Sequence, residues 1–362
     1  MLCGYRNFNN PPQRMERLLS MPTRARSVRL LLAFLVSAAT PARAQDAAEA
    51  WFVRDKTVRI VVGYGPGGGY DTYARMIAPY LSKTLGANVI VENLPGAGGI
   101  TALNRTAIAT PDGLTLQIVN GTGAALSQLV GIPAVRYNIL ELSHLGTVAV
   151  SPWMWMVGPT SSIQWPADAQ KPGVKLSWAA SGPIDGLADG AAFTCEALAL
   201  NCRVVMGYQG TNDATTAVIR AEMDAIYVSD TTAITIANSG NARAVATIAR
   251  RRSRFFPSAP LIFDRVKLDE DATWLLDFRS TADDLGRIVV APPRMQPERL
   301  RFLQNAFKAA LSDKALIAQG ERNQRNIGYL DANMTAANVR KVLAEPTPAQ
   351  KARVKAIIAK HQ

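Results

Sequence analysis

The sequence predicts an α/β protein of two lobes, each a mostly parallel sheet flanked by helices. Short β-branched runs alternate with longer helical patterns, the alternation occurs on both sides of a Trp-rich stretch, and glycine-rich turns join strands to helices. A βαβαβ order demands crossover connections, which set strands parallel and helices on both sheet faces. With 48% hydrophobic and 19% charged residues, the 362-residue chain suits a folded protein of one large or two ordinary domains.

In the first unit, VRIVVGY (Val58 to Tyr64) reads as a buried strand and Asp71 to Leu85 as a helix with apolar positions at Ala74, Ile77, Ala78 and Leu81. ANVIVEN follows as a strand between Gly86 and Leu94-Pro95-Gly96, then a helix near Ile100 to Ala109, the turn Pro111-Asp112-Gly113 and the strand LTLQIVN. In the second unit, KLSWAAS, CRVVMGY and MDAIYVS read as strands, with helices at Gly186 to Leu200 and Asn212 to Ala221. RAVATIAR (Arg243 to Arg250) is expected to return the chain to the first lobe, which GRIVVAP and a helix from Pro297 to Leu311 complete. The expected division is residues 51–150 with 246–362 for one lobe and 151–245 for the other. In SPWMWMVG, Trp153 and Trp155 alternate with Met154 and Met156, the period of a core strand at a domain junction; an aromatic ligand platform is the other reading.

Residues 1–44 have the layout of a secretory signal peptide: Arg24, Arg26 and Arg29, the apolar run Leu30 to Ala39, then Pro41-Ala42-Arg43-Ala44. That run is about half of the roughly 20 residues needed to span a bilayer. The expected start codon is open between Met1, Met15 and Met21, and cleavage is placed after Ala44. Seven arginines and Glu16 leave with the leader, so the net charge of +12 becomes +6, from 33 basic and 27 acidic residues. That balance favours anionic partners weakly, and no basic run with interleaved aromatics points to nucleic acid. In an oxidising compartment Cys195 and Cys202 are candidates for a bridge. One continuous helix would hold them about 10 Å apart, so a bridge requires the helix to end near Asn201; two buried thiols are the other reading.

The residues that carry most of the chemistry are Gly63, Gly65, Gly67, Gly68 and Gly69, between a strand and a helix. Glycines let the backbone approach a ligand closely, and the helix that follows aims free N–H groups and its positive dipole end at an anion. Asp71 is placed to cap that helix. Asn93 to Gly99 forms a second loop of the same character, and two such loops suit a ligand with one or more carboxylates. A competing reading takes Gly63, Gly65 and Gly68 as a dinucleotide fingerprint, with Glu92 as the ribose-binding acid of an oxidoreductase. Catalytic alternatives are poor. His144 and His361 are the only histidines, so a His-rich metal site is excluded, and Ser181 in AASGP lacks the flanking glycines of a nucleophile elbow. No catalytic residue, metal site or cofactor is assigned.

VRIVVGYGPGGGYDTYARMIAPYLSKTLGANVIVENLPGAGG, the Pro111-Asp112-Gly113 turn, KLSWAASGP, GYQGTND, RAEMDAIYVSD and IVVAPPRMQPERL occur in an order that resembles the Bug-type receptors of tripartite tricarboxylate transporters, over nearly the whole exported chain. The resemblance implies a two-lobed periplasmic-binding fold, type II-like, which closes on a small carboxylate. Its partners would be membrane permease subunits or a sensor, with the receptor acting as a monomer in the periplasm. It assigns Gly67, Gly68, Gly69, Tyr70 and Asp71 to one binding loop, and Gly96, Ala97 and Gly98 to another. From the opposite lobe it implies Ser181 and Gly182, then Tyr208, Gly210 and Thr211. Tyr70 stands where the family has a small threonine, Asp185 where many members have serine, Ala188 where many have histidine. Val228 replaces a ligand-reading aspartate, which leaves Ser229 and Asp230 as substitutes. Asp185 and Asp189 near the cleft would disfavour a second carboxylate and select an amide or amine.

Overall fold

The computed structural model describes residues 52–182 and 184–361. The expected signal peptide and Cys3 lie outside them. Two five-stranded sheets organise the chain. In the first, β1 (Thr57–Val62) lies between β2 (Asn88–Asn93) and β3 (Thr115–Asn120), all parallel. Helix α1 (Gly69–Leu85) makes the first crossover and α2 (Ile100–Ala107) the second. Gly86 stops α1 in the left-handed conformation, φ 65°, its N–H bonded to the Ser82 carbonyl. After β3 come α3 (Gly121–Val130) and β4 (Ser143–Thr147), at the far edge.

The chain then enters the second sheet through β5 (Trp153–Val157), followed by β6 (Leu176–Ala179), α4 (Leu187–Ala197), β7 (Cys202–Val205), α5 (Thr211–Ile219), β8 (Ala225–Ser229), α6 (Asp230–Ala237) and β9 (Arg243–Thr247). It passes through the short α7 (Ile262–Arg265) and α8 (Glu270–Asp283), then returns as β10 (Arg287–Ala291) between β3 and β4. Four helices complete it: α9 (Pro297–Leu311), α10 (Lys314–Arg322), α11 (Ala332–Leu343) and α12 (Pro348–Lys360).

The sheets share one plan, β2-β1-β3-β10-β4 and β7-β6-β8-β5-β9. In each, the fourth strand runs against the other four, and it is the strand by which the chain arrives from the other sheet. Each unit is therefore mostly parallel with one reversed strand. RAVATIAR corrects the expectation. Arg243–Thr247 pairs with β5 at the edge of the second sheet, and Thr247 also bridges Leu261, so the chain stays with that sheet past residue 250.

Period-two burial explains the packing. On β5, Trp155 and Val157 enter a core shared by both sheets, while Met154 and Met156 face an outer core under α5 and α6. On β10, Ile288 and Val290 enter the shared core, and Val289 and Ala291 join an outer core with α1 and α9. The shared core draws on α3, α4, α8, α11 and α12, through Leu126, Phe193, Leu276, Val339 and Ile357 among others. Helix α4 ends at Ala197 rather than Asn201, and the turn that follows brings the Cα atoms of Cys195 and Cys202 to 6.4 Å, where they form a disulfide.

Candidate functional site

The site is built from strand-to-helix turns at the same end of the two sheets. In the first, Gly67 takes φ 81°, a conformation that favours glycine, and donates its N–H to Asp71 Oδ2 at 2.8 Å. Asp71 does not cap α1. It is the third helical residue and reaches back to the loop, while the helix starts at Gly68 with no side-chain cap. Asp71 is 2% exposed and also accepts from Arg75 Nε at 3.0 Å and from Asn93 Nδ2 at 2.9 Å. Burial works to raise its pKa, but the bonds from Arg75, Gly67 and Asn93 outweigh it and hold the carboxyl below its ordinary value. The loop is thus braced by a buried carboxylate.

The second turn packs on the first through backbone. A Cβ at Gly63 would lie 2.8 Å from the Cα of Gly99, so only glycine lets the loops touch. Gly96, Ala97, Gly98 and Gly99 all take positive φ around a short 3-10 turn, and the Tyr64 hydroxyl donates to the Gly98 carbonyl at 2.9 Å. Tyr64 stacks on Tyr70, centroids 4.8 Å apart. Burial pushes the Tyr64 hydroxyl up to about 12, against a bond from Asn120 and with added repulsion from Asp185. Burial raises Tyr70 as well.

Asn120 was not foreseen from sequence. It ends β3 and caps α3 by accepting the Gly123 N–H at 3.1 Å, in the same strand-to-helix position as the other loops. Its neighbour across the sheet is Arg287, whose guanidinium sits over the rings of Tyr70 and Tyr73. A Cβ on Gly123 would come within 3.4 Å of the Ile184 carbonyl, so this turn abuts the first loop of the second unit.

There Asp185 dominates. Its Oδ2 accepts from the Ser181 N–H at 2.8 Å, the Gly182 N–H at 3.0 Å and the Ser181 hydroxyl, and its Oδ1 accepts from the Ala188 N–H at 2.7 Å. Gly207 N–H bonds the Ser181 carbonyl, which places the Tyr208, Gly210 and Thr211 turn beside it. In that turn the Gln209 N–H donates to Asp213 at 3.0 Å.

Two expected site residues are used elsewhere. Asp230 is buried, and its carboxylate is taken up by Ser253 at 2.9 Å, by Asn326 at 3.4 Å and by Ser151, where the chain crosses between sheets. Ser229 bonds Thr231 and Thr232 beside it. Asp189 does not line the cleft: it lies fully buried with Arg279, at 3.1 Å, in a cluster completed by Asp283 and by Tyr227, whose hydroxyl donates to Asp283 at 2.6 Å. Depressions of about 530 and about 610 Å³ lie elsewhere, one by Lys56 and Asn88, the other by Trp165 and Phe256. Among the described residues no His, Cys, Asp and Glu cluster is arranged to hold a metal.

Solved structures share this architecture. The malate-bound MatC of Rhodopseudomonas palustris matches 83% of this chain and 98% of its own, with a TM-score of 0.61 and 22% identity. An adipate-bound protein of the same organism covers 84% and 97%, with a TM-score of 0.65 and 16% identity. BugT of Bordetella pertussis is 25% identical over 272 residues, 72% of this chain and 78% of its own. A Cupriavidus necator protein of the UPF0065 group is 29% identical over 283 residues, 76% and 79% of the two chains. None of this supports the dinucleotide reading, and its acid, Glu92, faces Arg59 at 3.6 Å. The model of the tripartite tricarboxylate transporter family receptor matches residues 73–361, most of the chain, and the chain belongs to that family of solute-binding receptors.

Proposed function

We propose that the protein is an exported periplasmic receptor that closes its two lobes on a small carboxylate, hands it to membrane permease subunits or a sensor, and catalyses no reaction. The observation that carries this reading is the backbone contact of Gly63 with Gly99, which sets the uncapped start of α1 beside the glycine turn Gly96 to Gly99. Free amide N–H groups at a helix N-terminus form a receptor for an anion without any charged side chain. The relatives solved with malate and adipate support the same ligand class.

In this reading the first lobe comprises residues 52–150 with β10 and the helices after it, and the second runs from residue 151 to about Leu261. Gly67, Gly68, Gly69, Gly96, Ala97 and Gly98 hold the anion, with Tyr70 over it and Asp71 as the brace. Ser181, Gly182, Tyr208, Gly210 and Thr211 meet it on closure. The crossings near Ser151 and after Leu261 act as hinges, and closure needs a ligand that prefers the closed state.

A thermal-shift screen of the purified protein against carboxylates, amino acids and NAD tests this. A ligand at a hundred times its dissociation constant adds about 2.7 kcal/mol, several degrees in a chain of this size. The expected result is a shift with a carboxylate that Asp71→Ala abolishes. A shift with NAD alone overturns the proposal.

A further inference from the structure

We infer that Asp185 fixes the polarity of the cleft, so that the solute is a carboxylate whose other end carries an amide or amino group rather than a second carboxylate. This rests on the receptor reading above and specifies its ligand. The amides of Ser181, Gly182 and Ala188 converge on one point, as in a loop that binds a ligand's anionic group. Here the point is filled by the chain's own carboxylate, with the Ser181 hydroxyl as a further donor. The donors of this loop are therefore already spent.

A second anionic group brought to this loop would meet the bonded amides of Ser181, Gly182 and Ala188 and a negative charge. An N–H or ammonium group would meet Asp185 Oδ1, which among the described residues accepts only from the Ala188 N–H and so keeps one of the two acceptor sites of a carboxylate oxygen. Like charges facing one another at an interface cost several kcal/mol, enough to decide between ligands of equal shape. The Asp185 loop lies against the first lobe, since a Cβ on Gly123 would come within 3.4 Å of the carbonyl of Ile184.

The other charges near the cleft do not offset it. Asp71 is matched by Arg75 on the first-lobe side. Arg279 is enclosed between Asp189 and Asp283 and carries no exposed surface. Arg287 lies over Tyr70, on the strand neighbouring Asn120, and its Nε has no partner among the described residues. The cleft thus has a cationic side, at Arg287 and the uncapped start of α1, and an anionic side at Asp185. A dicarboxylate fits one side only, whereas an amino or amide carboxylate fits both.

Matched ligand pairs read this directly. Protein purified from cells expressing the full chain is titrated calorimetrically with dicarboxylates of four to six carbons, their monoamides, and the corresponding ω-amino acids. Parent protein is expected to bind a monoamide or amino acid at least about tenfold more tightly than the matched dicarboxylate. Asp185→Ser, which frees the three amides, should reverse that order. Should the serine variant fold poorly, Asp185→Asn can keep the three contacts of Oδ2 through its amide oxygen while losing the charge and the Ala188 acceptor, and it should bring each pair to near parity. Preference of the parent for dicarboxylates, or a ratio that neither variant changes, overturns the inference and leaves the receptor intact. Binding of none of the carboxylates overturns both.

Discussion

A Cβ at residue 63 would sit 2.8 Å from the Cα of Gly99, and main chain cannot yield there as the tip of a side chain can. Gly63→Ala must therefore separate the two loops, at a cost of about 1 to 3 kcal/mol. The expected outcome is a lower denaturant midpoint together with loss of any ligand-induced thermal shift. A variant that is destabilised but still binds at parental affinity would show that the loops need not touch. Tyr64 extends the argument from one residue to three loops: its hydroxyl donates to Gly98, accepts from Asn120 and feels Asp185. None of these partners is within thirty residues of it in sequence. The glycines announce the loops; the contacts among them exist only once the strands are in register.

At the scale of elements, the bridge between Cys195 on α4 and Cys202 on β7 closes a loop of 7 residues' separation. Constraining so short a loop in the unfolded chain contributes about 2 to 3 kcal/mol on the chain-entropy account. Guanidinium melts with and without reductant should differ by that amount, and Cys202→Ala should melt like the reduced parent in both; identical melts for oxidised and reduced parent would contradict it. The same turn shows what was legible. The spacing allowed a bridge only if α4 stopped early, and Ala199, at φ 50°, marks where it does. The strands VRIVVGY, ANVIVEN and LTLQIVN were read within a residue or two because β-branched runs bounded by turns have few other solutions. RAVATIAR was read as the return to the first lobe and instead pairs with β5, since an apolar run reveals that a segment buries a face but not which neighbour it pairs with. Ser-His-Leu-Gly-Thr, β4, carried too little apolar pattern to be read at all. In the site, Gly67, Gly96 and Ser181 were visible from turn chemistry. Asn120 was not, being one polar residue at a strand end whose meaning comes from Tyr64 above it.

Across the whole molecule, the two sheets are joined by a shared helical core in which Arg279 of α8 is enclosed by Asp189 of α4 and Asp283. Burial pushes the Asp283 carboxyl up to about 7, against the pull of Arg279 and Tyr227 and with repulsion from Asp189. The folded state keeps a proton that the unfolded chain has released. The contribution of Asp283 is therefore complete below the ordinary 3.8 and is lost as pH rises to about 7. His144 works in the opposite sense. Burial lowers its pKa from 6.5 to about 4, with Arg340 adding to the effect and the bond to the Ile139 carbonyl opposing it. The unfolded chain takes up a proton that the folded ring refuses, so this contribution is complete above 6.5 and is lost as pH falls to about 4. A shift of that size corresponds to about 3 kcal/mol. Over this range the two slopes oppose each other, and the parent's stability should change less with pH than either titration alone would require. Taken as differences from the parent, so that other groups cancel, Asp283→Asn should gain relative stability as pH rises from 4 to 7. His144→Gln should lose it over the same range. Urea melts in steps across that range measure both; variants that tilt the same way would show that one of these groups does not titrate in the folded protein as its burial demands.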